Sequence, residues 1–440
     1  MHIVIVTTGT LGDVQPFVAV GLGLKRAGYR VTLAANPDHE PFVTGRGLAF
    51  RPIGMNMREI LESDAGREWL ESANSARRYV RTFKRAFEPT FRPFLRDVHA
   101  ALEDADAVLY QPFAWGAQMT ADLRGIPGLC LSPYPVAVSA GIEPLVWPAA
   151  PAWPWLRRRL HRLFSELLWP TVRDSYVEHG AAIGLPPFSS ANPFLEIIER
   201  VPLLHLFSPS VVPVPNDWGQ HVHATGYCFL DAPGGWAPPP ELERFLSAGP
   251  PPIYVGFGSM TGRDPGALAE LSIEAVSRAK QRAILVSGWS GMARGASLPE
   301  HIHVIDSVPH DWLFPRVSAV VHHGGAGTTA AGLRAGKPTL VAAFFADQPF
   351  WGRRVARAGA GPKPILRKDV DAANLAAGIT RLISDEGYRR GAERVAEALG
   401  REDGVANAVA LVERYVRGAS SVAQPLARQL EGAGVGLDAR

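Results

Sequence analysis

Apolar, β-branched runs recur along this chain, and most are followed by a stretch with helical periodicity, the alternation of a parallel sheet with covering helices. His2–Thr7 (HIVIVT) reads as a buried strand, Gly9–Gly12 as a turn and Val14–Ala27 as a helix. Arg30–Ala34 and Ala49–Ile53 are further predicted strands, with a short helical piece between them that Gly45 and Gly47 close. Ala76–Leu102 predicts a long helix carrying Tyr79, Phe83, Phe87, Phe91 and Phe94, kinked at Pro89 and Pro93. Strands resume at Ala107–Tyr110 and Gly128–Leu131. The pattern is then lost from Ser132 to Pro213, in sequence rich in Trp and Pro. The turn-formers of 213–240 predict a linker, after which alternation begins afresh with strands at Pro252–Phe257, Arg282–Ser287, His301–Ile305, Ala319–His323 and Thr339–Phe344.

The pattern therefore predicts two α/β domains, each Rossmann-like with a parallel sheet. Residues 1–213 form the first domain, 214–240 the linker and 241–402 the second domain, and an amphipathic helix at 403–419 packs back on the first domain before a loose tail at 420–440. A length of 440 residues suits two cores, and 47% hydrophobic with 20% charged residues is a globular composition. The net charge of +3 is spread along the chain and gives no footprint for nucleic acid. Cys130 and Cys228 stand apart without metal spacing and are expected to be reduced and buried. The N-terminus reads as a strand rather than a signal peptide, and no apolar run approaches the ~20 residues of a membrane-spanning helix. A cytoplasmic protein is expected.

The densest chemistry lies in His322–Gly332 (HHGGAGTTAAG), between a strand and a helix expected to start near Thr328. Glycines in such a turn let backbone N–H groups approach a ligand, and the helix N-terminus favours an anion. His323, Thr328 and Thr329 are candidate donors to phosphate; the alternative is a tight turn with Thr328 as a plain N-cap. Asp347 and Gln348 fall just past the next strand, where a carboxylate beside an amide suits sugar hydroxyls, or where Asp347 simply caps a helix. Asp13 ends the first glycine turn, as a general base or as the N-cap of Val14–Ala27; spacing alone favours the cap. Asp104 and Asp106 imitate a metal-binding DxD but sit in a polar turn, and the histidines show no metal spacing, so no metal is expected.

Taken together, these segments resemble a known family. Val308–Val355 (VPHDWLFPRVSAVVHHGGAGTTAAGLRAGKPTLVAAFFADQPFWGRRV) resembles the donor-binding segment of family 1 glycosyltransferases, especially the sterol glucosyltransferases and the bacterial antibiotic and rhamnolipid glycosyltransferases. The stretch TTGTLGDVQPFVAVGLGLKRAGYRVTLAA is similar to their first βαβ unit, and PPIYVGFGSM to the strand that opens their second domain; only Ser132–Pro213 matches weakly. The resemblance implies the GT-B fold, two Rossmann-like domains across a cleft, and an inverting transfer of a hexose, glucose from UDP-glucose, to a hydroxyl of an apolar acceptor such as a sterol, polyketide, flavonoid or lipid. It makes His323, Gly325, Gly327, Thr328 and Ser259 ligands of the donor diphosphate. It places the nucleobase at the backbone of Val308 and the sugar at Asp347 and Gln348. It makes Asp13 the general base, with His323 at the leaving group, and it reverses the preference for a cap. The nucleotide-sugar is then a co-substrate, with no cofactor. The histidine of the plant and mammalian branch is absent, since Thr8 and Thr10 stand in that loop.

Two other functions share such an architecture: a sugar-nucleotide 2-epimerase, against which the Trp- and Phe-rich first domain speaks, and a non-catalytic sugar-nucleotide binder. The stretch Trp153–Trp169 (WPWLRRRLHRLFSELLW) sets Leu156, Leu160, Leu163 and Leu167 on one face and Arg157, Arg158, Arg159 and Arg162 mainly on the other. It reads as a helix of the first domain with solvated arginines, or as a site of weak peripheral membrane contact.

Overall fold

A computed structural model describes residues 1–72, 76–145, 147, 151–188, 191–258, 265–286 and 298–418. Ser259 and the tail 420–440 lie outside the described residues. The first sheet has seven parallel strands in the order β3-β2-β1-β4-β5-β6-β7, namely β1 (His2–Val6), β2 (Arg30–Ala35), β3 (Ala49–Pro52), β4 (Ala107–Tyr110), β5 (Gly128–Ser132), β6 (Leu203–His205) and β7 (Val222–Ala224). The second has six in the order β10-β9-β8-β11-β12-β13, namely β8 (Ile253–Gly256), β9 (Ala283–Val286), β10 (Ile302–Ile305), β11 (Ala319–His322), β12 (Thr339–Ala343) and β13 (Ile365–Leu366).

Strand alternation explains the layering. In β1 the side chains of Val4 and Val6 join a core on one face, with Phe83, Phe87 and Phe91. Ile3 and Ile5 point the other way, into a core with Val14, Phe17 and Leu24. These aromatic residues sit on α2 (Ala76–Ala101) and the aliphatic ones on α1 (Leu11–Arg26). Helix α2 runs through Pro89 and Pro93 as a single assigned helix.

One expectation is corrected here. The expected linker 214–240 holds β7, which pairs in parallel with β6 and extends the first sheet beyond residue 213. A three-residue edge strand among turn-formers is too short for periodicity to reveal. Within 132–213, where the βα alternation is lost, the helix expected at Trp153–Trp169 is present and runs on as the 29-residue α3 (Pro154–Ala182); its apolar residues line a cavity and, through Trp169 and Tyr176, join the first-domain core.

In the second domain, α4 (Ala326–Arg334) and α5 (Gln348–Arg357) follow β11 and β12. One apolar cluster belongs to both domains: Phe207, Val211, Val212 and Tyr227 from the first pack with Leu333, Phe350, Trp351 and Val355 of the second. The last described helix, α6 (Gly404–Gly418), returns to the first domain and sets Ala408, Val412 and Val416 against the α1 core. Val412 is fully buried there. Val412→Ala is expected to cost about 2 kcal/mol, seen as a lower urea midpoint for the intact chain.

Candidate active site

In each sheet the strand order reverses at one point, between β1 and β4 in the first and between β8 and β11 in the second. Ligands of open α/β sheets bind outside the strand ends at such points. Gln111 closes the first one. Its Oε1 accepts the Thr8 N–H at 2.8 Å and the Thr7 and Thr8 hydroxyls at 3.2 Å, tying the end of β4 to the end of β1.

Asp13 stands on this lip, but not as the N-cap of α1. The helix begins at Leu11, Thr10 is the N-cap and Asp13 occupies the third helical position. Its Oδ2 accepts both the Thr10 N–H at 2.8 Å and the Thr10 hydroxyl at 3.0 Å. Both bonds fall on one oxygen, and Oδ1 accepts none from the described residues. Gly9 makes the arrangement possible, since its φ is +114° and a Cβ there would lie 2.4 Å from Asp13 Oδ2. The Gly9 carbonyl faces Nε2 of buried His39 at 3.1 Å. Burial pushes the Asp13 carboxyl above the usual aspartate value, while the Thr10 bonds and His39 pull it down.

The opposite lip is the turn from β11 into α4. The helix starts at Ala326 with Gly325 as N-cap, so the expected start near Thr328 and its alternative role as cap are both corrected. No side chain caps this helix, which leaves its first N–H groups directed at the cleft. The Thr329 hydroxyl is already spent on the Gly325 carbonyl at 2.9 Å, so Thr328 alone keeps its place as a candidate hydroxyl donor of the first turn. The ring of His323 lies between two glycines. A Cβ on Gly325 would sit 2.6 Å from its Nε2, and one on Gly258 would sit 3.0 Å from its Cε1. Burial pushes this imidazole down to about 4, with Gly256 of the backbone opposing, so it is neutral at pH 7 until an anion arrives. The two lips meet closely: a Cβ on Gly327 would be 3.7 Å from the Gly12 carbonyl.

Beside them, Ala346 adopts the left-handed conformation, with φ at +53°, and turns Asp347 into the cleft. Asp347 does not cap α5 with its side chain; its Oδ2 accepts Trp351 Nε1–H at 2.7 Å. Burial, with Asp13 as a nearby negative charge, raises its carboxyl to about 6. Gln348 is buried, and its Oε1 accepts the N–H groups of Phe344 and Phe345 at 2.8 and 3.2 Å. Its carbonyl oxygen therefore shapes the turn. Val308 is buried with Tyr254, Leu313 and Phe314.

Beside this centre an apolar cavity lies in the first domain between α2 and α3. Phe83, Phe91, Phe113, Trp115, Phe164 and Trp169 are among its walls. Leu160 and Leu168 of α3 line it, while Arg158, Arg159 and Arg162 pair with Asp217, Glu166 and Glu199. Tyr134 joins cavity to centre: it lines the one and lies within electrostatic reach of both Asp13 and Asp347, which together with burial hold its phenol well above the ordinary value. Sequence reasoning missed Tyr134, Gln111 and His39. Gln111, directly after a predicted strand end, carried a positional signal; Tyr134 and His39 carried none. Asp104 pairs with Arg30 and Arg51 in a surface network away from the cleft, and no group of three or more metal-ligating side chains occurs among the described residues.

Comparison with known proteins agrees with this geometry. The glycosyltransferase family 28 N-terminal domain matches residues 3–101, and the erythromycin biosynthesis protein CIII-like C-terminal domain matches 276–409. A sterol 3-beta-glucosyltransferase of Arabidopsis thaliana is 36% identical over 93% of this chain, which spans 64% of that protein. The O-mycaminosyltylonolide 6-deoxyallosyltransferase of Streptomyces fradiae is 34% identical over 94% of this chain, which spans 97% of it. Among solved structures, the glycosyltransferase VinC in complex with DTDP shares the fold, with a TM-score of 0.66, 19% identity and coverage of 96% of this chain and 100% of that one.

The raised Asp347 pKa has a consequence for stability. The unfolded carboxyl ionises near 3.8 and the folded one near 6, so the folded state holds its proton longer and the free protein loses stability as pH rises through that window. Asp347→Asn removes the loss. The variant is expected to gain stability over the wild type between pH 4 and 7, by roughly 1–3 kcal/mol, measured by urea unfolding at both pH values; an equal difference at both would refute the assignment.

Proposed function

Because the chain belongs to the GT-B glycosyltransferases that include the sterol 3-beta-glucosyltransferases and the macrolide sugar transferases, we propose that it moves a hexose, glucose from UDP-glucose, onto a hydroxyl of an apolar acceptor with inversion at the anomeric carbon. One observation carries this reading: a carboxylate and an uncapped helix N-terminus face each other across a cleft, and Tyr134, within electrostatic reach of that carboxylate, lines an apolar cavity.

The steps follow from the residues. The acceptor lies in the cavity, its hydroxyl at Oδ1 of Asp13, the oxygen not engaged by Thr10. The acceptor oxygen attacks the anomeric carbon, the bond from that carbon to the diphosphate oxygen breaks, and Asp13 takes the proton. Its burial keeps it basic enough to do so. Charge developing on the leaving diphosphate meets the first N–H groups of α4, Thr328 and His323, fixed before the reaction begins. Gly325 and Gly327 keep that surface free of side chains, and Ser259, outside the described residues, is assigned to the diphosphate by the family resemblance alone. The nucleobase lies against the backbone at Val308. Asp347 takes sugar hydroxyls as an acceptor, and Gln348 holds the turn that presents it. These protein donors supply the charge stabilisation at the leaving group without a metal. The acceptor classes that suit the cavity are hydroxylated sterols, polyketides, flavonoids and lipids, since its walls are aromatic and aliphatic.

Two variants test the assignment. Asp13→Asn keeps an oxygen for the Thr10 bonds, so it is expected to abolish transfer from UDP-glucose to a hydroxylated apolar acceptor while UDP binding and melting temperature stay near wild type. Retained transfer would refute the base. His323→Ala is expected to lower kcat/KM for the donor by about 10²–10³, measured as UDP release at subsaturating UDP-glucose; an unchanged value would remove His323 from the leaving-group site.

A further inference from the structure

A carboxylate buried between the two domains plays no part in the steps above. Glu143 lies in the loop after β5, in the first domain, and is 2% exposed. Its Oε2 accepts Arg354 Nη2–H of α5 at 2.5 Å, and its Oε1 pairs with Arg357 one turn further along the same helix. Arg354 is itself buried, whereas Arg357 is 54% exposed. An ion pair this dry, between residues 211 positions apart, is a poor source of stability, because desolvation offsets most of the attraction. What it fixes is relative position.

The two elements it joins end at different substrates. On one side, Pro144, Leu145 and Trp147 follow Glu143 and line the acceptor cavity. Ile142, just before it, enters the interdomain cluster with Phe350, Trp351 and Val355. The loop is held from behind as well: Asp217 accepts from the Ser139 hydroxyl and the Ala140 N–H at 2.8 and 2.7 Å, and His161 of the cavity wall faces the Ile142 carbonyl at 3.2 Å. On the other side, α5 leads back over two turns, about 10 Å, to Asp347, which is bound to Trp351 of the same helix. A rigid helix cannot move at Arg354 without moving Asp347.

We propose that the Glu143–Arg354–Arg357 clamp is a positioning device that couples the acceptor cavity to the sugar end of the donor site. Filling the cavity sets the loop, the loop sets α5 through the clamp, and α5 sets Asp347 against the sugar. Coupling of this kind is reciprocal, so donor sugar and acceptor each tighten the other. The coupling acts on the sugar more than on the nucleotide, because Asp347 sits at the start of the clamped helix itself, whereas the diphosphate surface is built on α4, which meets α5 through packing at Leu333 and at Gly324 just before the helix. This inference rests on the donor and acceptor assignments proposed above.

The test uses the intact chain with N-phenyl-1-naphthylamine, which fluoresces on entering apolar cavities and carries no hydroxyl to be glycosylated. Calorimetry gives the Kd of UDP-glucose and of UDP with and without the probe. In the wild type the probe is expected to tighten UDP-glucose roughly fivefold or more and to tighten UDP by a smaller factor; an equal factor for both would place the coupling outside the sugar end and overturn the proposal. Glu143→Gln is expected to bring the factor for UDP-glucose below about twofold. Arg357→Gln, which keeps the buried Arg354 bond, is expected to fold as the wild type does and to lose at least half of the coupling; it decides the matter if Glu143→Gln does not fold. A merely structural clamp would lower the melting temperature of the variants and leave the factor unchanged, and that result overturns the proposal. So does a wild type that binds both ligands independently. Failure of the wild type to bind UDP-glucose at all would overturn the donor assignment, and the coupling with it, and is read directly from the titration without probe.

Discussion

Two helix N-termini face one another across the cleft, α1 from the first domain and α4 from the second, close enough for Gly12 and Gly327 to approach. Each carries roughly half a positive charge on N–H groups without helical partners. At α1 the Asp13 carboxylate in the first turn offsets that charge, whereas no side chain does so at α4. The domains are held together elsewhere. The shared apolar cluster around Trp351, the Glu143 clamp, and Glu402, which accepts the hydroxyls of Ser208 and Ser210 at 2.7 Å, do so behind the cleft. The proposed diphosphate surface and the interdomain adhesion are thus separated in space.

A similar separation governs the carboxylates. Asp13 and Asp347 lie near enough to feel each other's charge, in surroundings that disfavour ionisation of both. Asp13 is anchored by Thr10 through one oxygen and Asp347 by Trp351 through one, which leaves the second oxygen of each for the roles proposed above. A single hydrogen-bonded oxygen on each carboxylate fixes its direction without filling it. Desolvation by the aromatic cavity then raises basicity where a proton is to be accepted.

Much of this was legible from residue pattern. The apolar runs located ten of the thirteen strands found among the described residues, most of them buried on both faces and so with few polar positions to obscure them. The missed strands, β6, β7 and β13, have two or three residues each, below the length at which periodicity exists. Glycines beside histidine marked the strand-to-helix turn proposed to bind an anion, yet the helix start was set two residues late because threonine is a favoured N-cap and glycine a poor signal for one. Asp13 was located but misplaced on its helix for the same reason: Thr10 is the cap and Asp13 its reciprocal partner. The acceptor cavity was not legible, because Tyr134, Trp115 and α3 meet only through tertiary packing.

The return of α6 to the first domain bears on how the chain is made and divided. The core formed by Ile3, Ile5 and Phe17 is completed by Val412 and Val416, at the other end of the sequence. On a ribosome the first sheet waits for nearly the whole chain, roughly 20 to 80 s at ordinary elongation rates, with an apolar stripe of α1 uncovered and open to chaperones. A chimaera that exchanges acceptor domains with a single crossover near residue 240 would pair each new α1 with a foreign closing helix. The unit of exchange is discontinuous, and a viable hybrid needs two junctions, the second before Gly404.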